Sequence, residues 1–340
     1  MNEQTAIKFT PKDFATDQEV RWCPGCGDYA ILKGVQKALA DIGTAPENVV
    51  FVSGIGCAAR FPYYVETYGF HTIHGRAPAF ATGIKLAKPE LDVWIVSGDG
   101  DSLSIGGNHL MHVLRRDVDV NYLLFNNEIY GLTKGQASPT SRMGTRSPST
   151  PAGSVDAPLS PCVTALGVGA RFVARGIDRG QKELPGILQR AHAHKGASFV
   201  EILQNCIVYN DGIFDSVTDK SVAEFSQIHV QHGEPLLFGP ENRMGLHLNA
   251  KAMRLEVVEL GEGGTTIDDI IVHDETNKML AQMLAGMERP DFPVAVGVLY
   301  NNPAEMTYEA AVTRQNETMA HQARIKTMDE LLRSGSTWTV

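Results

Sequence analysis

Two short stretches of this 340-residue chain carry residue types and spacings that could do chemistry. The first is Gly98-Asp99-Gly100-Asp101, followed one apolar segment later by Asn126-Asn127. Asp99 offers a hard carboxylate oxygen and an asparagine side chain offers a neutral one. Mg²⁺ takes octahedral oxygen ligands, commonly one or two from protein with phosphate oxygens and water completing the shell. Gly98 and Gly100 leave the backbone free of Cβ atoms where a ligand must come close. The set points to a diphosphate bridged through magnesium, and a free nucleotide satisfies the same donors. The second stretch is RWCPGCGDYA, in which Cys23 and Cys26 are separated only by Pro24 and Gly25. Five cysteines, an odd number in a long chain without an export signal, argue against a disulfide framework and for metal, redox or core roles.

Chemistry of this kind needs elements that hold it in place. Ile31, Leu32, Val35, Leu39 and Ile42 recur at helical spacing with Gly43 as a stop. Apolar strands are expected over 48–56, 92–100, 120–127 and 198–205, with helices over 78–87, 105–115 and 182–194. Continuous apolar strands separated by helices predict an α/β fold, an open parallel sheet covered by helices on both faces. In such sheets ligands sit outside the carboxyl ends of the strands, where both Gly98–Asp101 and Asn126-Asn127 fall. Thr133 to Pro161 is rich in Ser, Thr, Pro and Gly and reads as a long loop, functional because it follows a strand's C-terminal end. Beyond residue 225 the alternation fades. The expected organisation is a cofactor domain over 1–225 and a C-terminal extension over 226–340, with helical stretches near 277–288 and 303–333.

Composition narrows the function classes. A 43% hydrophobic content is enough for a substantial core. The net charge of −9 argues against a broad basic face for nucleic acid or an anionic membrane and leaves room for a local basic pocket. No apolar run approaches a membrane span, and Met1-Asn2-Glu3 lacks the basic and apolar regions of a signal peptide, so a cytoplasmic protein is expected.

Gly-Asp-Gly followed by Asn-Asn resembles the signature of thiamine diphosphate enzymes. WCPGCGDYAIL, SGIGCAARFPYY, HTIHGRAPAFATGIKLA, SGDGD, NNEIYGLTKGQASPT and GARFVARG together resemble the β subunits of 2-oxoacid:ferredoxin oxidoreductases, nearest the 2-oxoglutarate type. The likeness runs over roughly residues 18–225. It implies a thiamine diphosphate-binding fold and coenzyme A-dependent oxidative decarboxylation of a 2-oxoacid, or the reverse carboxylation, with electrons passing through a 4Fe-4S cluster to ferredoxin. The partner it implies is a larger α subunit that completes the cofactor site, since only one parallel-sheet unit is legible here.

The resemblance also implies roles by position. Cys23, Cys26, Cys57 and Cys206 become the cluster ligands; four thiolates by themselves suit zinc or an iron-sulfur cluster. Cys162 precedes an apolar stretch and reads as a small core residue. Asp99, Asn127 and the Ile129 carbonyl become Mg²⁺ ligands. Gly98, Gly100, Asp101, Gly131 and Leu132 surround the diphosphate with backbone amides, and Ile55, Gly56, Cys57 and His74 lie beside the cofactor. Arg60 and Lys134 fall near the substrate, where a cation would meet the distal carboxylate of a dicarboxylic oxoacid.

Overall fold

The apolar strands read from the sequence form side by side in the computed structural model, which describes residues 8–338. The first part of the chain runs α1 (Asp28–Ile42), β1 (Val49–Ser53), β2 (Tyr68–His71), α2 (Ala77–Ala87), β3 (Asp92–Gly98), α3 (Asp99–Leu103), α4 (Gly107–Arg116), β4 (Asn121–Asn126), α5 (Pro161–Gly167), β5 (Phe172–Ile177), α6 (Leu184–Ala193) and β6 (Ser198–Leu203). Alternate residues of each strand serve opposite faces. Val50, Val52, Val93 and Ile95 pack on one side with Ala77, Ala81, Leu110 and Leu114 of α2 and α4. Val49, Phe51, Trp94 and Val96 pack on the other with Ile31, Val35 and Leu39 of α1 and Leu184 and Leu188 of α6. Both faces being apolar is why these strands lack polar alternation.

The sheet order is β2-β1-β3-β4-β6-β5, all parallel, and two later strands extend it. After β6 come α7 (Asp215–Thr218), α8 (Ala223–Ser226), β7 (Gln227–Val230), β8 (Leu237–Phe238), β9 (Met244–Asn249), β10 (Arg254–Glu259), α9 (Lys278–Ala285), β11 (Val294–Asn301), α10 (Tyr308–Gln322) and α11 (Met328–Leu332). β11 lies antiparallel to β5, and β7 lies parallel to β11 at the edge, so the eight-stranded sheet is mostly parallel. β8, β9 and β10 form a separate antiparallel sheet. Leu236, Phe238, Leu246 and Leu255 of that region join the main core.

The division expected after residue 225 is therefore crossed by sheet hydrogen bonds, and the later residues are more than an extension. The reason is visible in Val294-Ala-Val-Gly-Val-Leu-Tyr300, an apolar run that needs a sheet to bury it. Among the described residues the last stretch stands clear: α10 is exposed beyond Val312, and in its first turn Glu309 accepts from the Asp119 N–H. The helix expected over 105–115 is α4, and the turn at Ser104–Gly106 sets it off from the short α3 that opens at Asp99. The residues read for an export signal, Met1 to Glu3, lie outside the described residues.

Candidate functional site

Four neighbouring strands, β1, β3, β4 and β6, end at one edge of the sheet. Gly98 pairs with Phe125 and Asn126 with Leu203, so Asp99, Asn127 and Gln204 emerge side by side. This edge includes the β1/β3 boundary, where the chain order reverses, which is where open α/β sheets hold ligands.

Asp99 is buried and receives the Ser138 and Thr140 hydroxyls on Oδ2, each at 2.5 Å. Burial nevertheless pushes its carboxyl up to about 6, the two hydroxyls working against that rise. Thr140 also donates to Asn126 Oδ1 at 3.1 Å, and Asn126 Nδ2 donates to Glu201 Oε1 at 2.8 Å. Glu201 is itself paired with Arg175 at 2.8 Å inside the sheet. A polar chain thus runs from the sheet interior to the Asp99 carboxylate, each member held by the next.

The loop after β4 is shaped by Glu128, whose φ of 54° lies in the left-handed region. Its carbonyl accepts from Ser141 Oγ, and its carboxylate meets Arg142 at 3.1 Å. The turn lets Asn127 Oδ1 accept the Ile129 N–H at 3.1 Å while Asn127 Nδ2 donates to Gln204 Oε1 at 2.8 Å. The Ile129 carbonyl accepts no hydrogen bond among the described residues. One pocket collects Ile55, Gly56, His74, Gly98, Asp99, Gly100, Asp101, Asn127, Ile129, Gly131 and Leu132, twelve expected cofactor residues when Cys57 is included. Gly100 must be glycine here: a Cβ would lie 2.2 Å from the Tyr130 ring, whose hydroxyl donates to Gly100 O. The Asp101 side chain is engaged within the protein. It accepts from Ser97 Oγ at 2.7 Å and Gly75 N at 2.9 Å, and it meets His74 Nδ1 at 3.1 Å. It therefore steadies His74, leaving only its backbone for a phosphate.

Beside this pocket lies a cavity of about 210 Å³ bordered by Cys23, Cys26, Cys57 and Cys206. The Cys23–Cys26 turn is closed by Cys26 N–H on Cys23 O, with Gly25 at φ 86°. Trp22 anchors it, donating to Cys57 O at 2.7 Å and packing against Tyr29 and Tyr64. Gly27 N–H donates to Asn205 O, which ties the turn to the end of β6. Burial pushes the Cys57 thiol up to about 12 and the Cys26 thiol further. Cys162 is elsewhere, buried in the core with its sulfur 3.1 Å from Glu201 Oε2. Asp28 borders both cavities, and burial pushes its carboxyl up to about 7. Gly131 is the partition: a Cβ there would sit 3.5 Å from Cys57 Sγ and 3.6 Å from Cys206 Sγ.

The two expected substrate cations are not brought together. Arg60 borders the cysteine cavity and donates to Tyr64 Oη at 3.0 Å, whereas Lys134 is exposed on the turn after Gly131 and borders neither cavity. Ser138, Thr140, Tyr130, Asp28 and Gln204 are the site residues that motif reading misses. The hydroxyl-rich loop after Asn-Asn was a signal for the first two; the others touch the site only through the fold.

The sheet edge and its glycine-lined pocket lie largely within a thiamine diphosphate-binding domain, as a family match shows. Residues 54–202 match the family described as thiamine pyrophosphate enzyme, C-terminal TPP binding domain. The chain is 48% identical over 334 residues, 97% of its length and 88% of the relative's, to 2-oxoglutarate oxidoreductase subunit KorB of Mycobacterium tuberculosis. It is 36% identical over 297 residues, 87% of its length and 86% of the relative's, to the 2-oxoacid:ferredoxin oxidoreductase subunit beta of Saccharolobus solfataricus. Among solved structures, a 2-oxoglutarate:ferredoxin oxidoreductase from Magnetococcus marinus with 2-oxoglutarate, coenzyme A and succinyl-CoA bound superposes with a TM-score of 0.76 at 30% identity, covering 97% of both chains. The chain belongs to the β subunits of the 2-oxoacid:ferredoxin oxidoreductases. Among the described residues no helix is long and apolar enough to cross a membrane.

Proposed function

We propose that this chain is the cofactor- and cluster-binding subunit of a coenzyme A-dependent 2-oxoglutarate:ferredoxin oxidoreductase, working with an α subunit. The observation that carries the reading is the pair of adjoining cavities on one sheet edge, with Cys57, Asn127, Gly131 and Gln204 bordering both. Asp99, Asn127 Oδ1 and the Ile129 carbonyl would hold Mg²⁺. The choice of donors suits it: hard oxygens, few in number, with room for phosphate. Cys23, Cys26, Cys57 and Cys206 would hold a 4Fe-4S cluster. Among the described residues no three His, Cys, Asp or Glu side chains converge closely enough for a single ion. The four sulfurs instead border a cavity of about 210 Å³, which favours a wide polynuclear group over zinc. Thiols raised by burial need such a cationic centre to persist as thiolates.

Bound there, thiamine diphosphate supplies the electron sink for decarboxylation and the cluster a one-electron route to ferredoxin. The chain's own residues orient and insulate. Asp99, fixed by Ser138 and Thr140, sets the metal's position. His74, steadied by Asp101, borders the cofactor pocket, and Gly131 keeps the partition between the cavities thin. The net conversion takes 2-oxoglutarate, coenzyme A and two oxidised ferredoxins to succinyl-CoA, CO₂, two reduced ferredoxins and the proton lost by the coenzyme A thiol. The choice of 2-oxoglutarate rests on the names of relatives at 48% and 30% identity. The α subunit is inferred from the β-subunit relatives and from there being one mostly parallel sheet among the described residues, which leaves the aminopyrimidine side to another chain. Protein purified without air together with its α subunit is expected to be brown, with about four iron and four sulfide per β chain. Colourless protein with stoichiometric zinc overturns the reading.

A further inference from the structure

Gln204 follows β6 and is 1% exposed, yet it borders both cavities. Its Nε2 donates to the Asn205 carbonyl at 2.7 Å and to Cys26 Sγ at 3.2 Å. A carbonyl can only accept, so the amide nitrogen must face Asn205 and Cys26. Its Oε1 is thereby committed to Asn127 Nδ2, at 2.8 Å. That contact in turn fixes the neighbouring amide: Asn127 must present Oδ1, not its NH₂, on the side of the Ile129 N–H. Two chemically blind choices, which end of each amide is oxygen, are thus settled by one backbone carbonyl.

We propose that Gln204 is a positioning residue that couples the two halves of the site. Its oxygen orients Asn127 so that Oδ1 serves the metal-diphosphate. Its nitrogen donates a hydrogen bond to the Cys26 sulfur, withdrawing electron density from that ligand and raising the cluster's reduction potential. The proposal rests on the reading of Asn127 as a metal ligand and Cys26 as a cluster ligand. Gln204 need touch neither substrate nor cofactor to act in this way.

Two substitutions separate the arms. Gln204→Glu keeps an acceptor for Asn127 Nδ2 and removes the donor to Cys26. Gln204→Met removes both and adds no charge. Each variant is assembled with the α subunit without air and assayed for iron and sulfide. The cluster potential is then read by an electron paramagnetic resonance-monitored redox titration, and affinity for thiamine diphosphate with Mg²⁺ is read by calorimetry. Both variants are expected to shift the midpoint potential to more negative values. Only Gln204→Met is expected to weaken thiamine diphosphate binding, by about tenfold, the scale of leaving a buried amide without its partner; Gln204→Glu should stay within about threefold. An unchanged potential in Gln204→Met overturns the cysteine arm, and unchanged affinity in that variant overturns the asparagine arm. Loss of iron from both variants overturns the tuning role and makes Gln204 a support for cluster assembly. A colourless wild-type complex is the failure of the underlying reading, and is told apart by the wild-type iron assay alone.

Discussion

The two cavities that meet at Gly131 are built on opposite plans. The diphosphate side is finished by the fold: Asp99 has both of its hydroxyl donors, Asn127 has its amide orientation, and a buried ion pair stands behind them. The cysteine side is left open. Its four sulfurs range from exposed at Cys23 to buried at Cys206, and what holds them is mostly backbone and the packing of Trp22. A hard ion with a strict octahedral shell is served by preformed geometry. Soft thiolates are served by the group they bind, because deprotonation and binding happen together. The difference teaches that substitution should damage the two halves in different currencies, affinity on one side and assembly on the other.

The largest effect expected on this contrast is at its two centres. Asp99→Ala should abolish turnover, a fall of at least about a thousandfold, through loss of the metal-diphosphate while iron stays at wild-type content. Cys206→Ser, at a residue that borders only the cysteine cavity, should do the reverse, losing iron and ferredoxin reduction while thiamine diphosphate affinity changes little. Iron assay and calorimetry on the two variants in the α/β complex check both, and iron loss in Asp99→Ala breaks the comparison. Cys162→Ser should leave the iron content as in wild type, since its sulfur faces Glu201 in the core.

A smaller effect sharpens the preformed side. Thr140→Val removes a hydroxyl from a buried carboxylate, an interaction worth about 1.5–3 kcal/mol, or roughly tenfold to a hundredfold in Mg²⁺-dependent cofactor affinity. Next comes pH. The Asp99 carboxyl is raised to about 6 by burial, and Mg²⁺ needs it ionised, so a proton competes with the metal. Affinity should be flat above about pH 7 and fall about tenfold per unit below pH 6, with the break moving upward in Thr140→Val. A pH-independent affinity between 5 and 8 would remove Asp99 from the metal shell. The smallest effect belongs to Lys134. It is exposed and borders neither cavity, so Lys134→Gln should change the KM for 2-oxoglutarate by no more than about fivefold, the scale of an exposed ion pair. Arg60→Gln, at the cysteine cavity, should raise the KM for 2-oxoglutarate more than that for pyruvate; equal rises assign Arg60 to the cluster instead.

How much of this could be read from the chain follows the same divide. Asp99, Asn127 and the strands that carry them were legible because their chemistry and apolar context are local in sequence. Gly43 stops α1 in the left-handed conformation, as its type suggests. Ser138 and Thr140 were legible only as members of a hydroxyl-rich loop, since nothing local says that they turn back onto a carboxylate some forty residues earlier. Gln204 was invisible: its meaning lies in Asn127, just past β4, and Cys26, in the turn before α1, which the fold brings to it. β2 is four exposed residues, Tyr-Gly-Phe-His, and carries no buried-strand signature. β5 and β11 do carry one, and β11 was masked by the polar, hairpin-rich stretch that precedes it.

β11 has a further consequence, for how the protein is made. It lies between β5 and β7, pairing Gly297 with Arg175 and Val294 with Gln227. A ribosome adding about 5–20 residues per second therefore spends roughly 6–24 s between releasing β5 and supplying its partner. Throughout that interval the cofactor-bearing strands are already synthesised, while the β5 edge lies bare and open to another nascent chain. Chains stalled before residue 294 should accordingly be digested by protease through β5, and chains stalled well after residue 301 should resist. Loading of metal and cofactor is thus expected to be a late event, one that waits for a strand that touches neither.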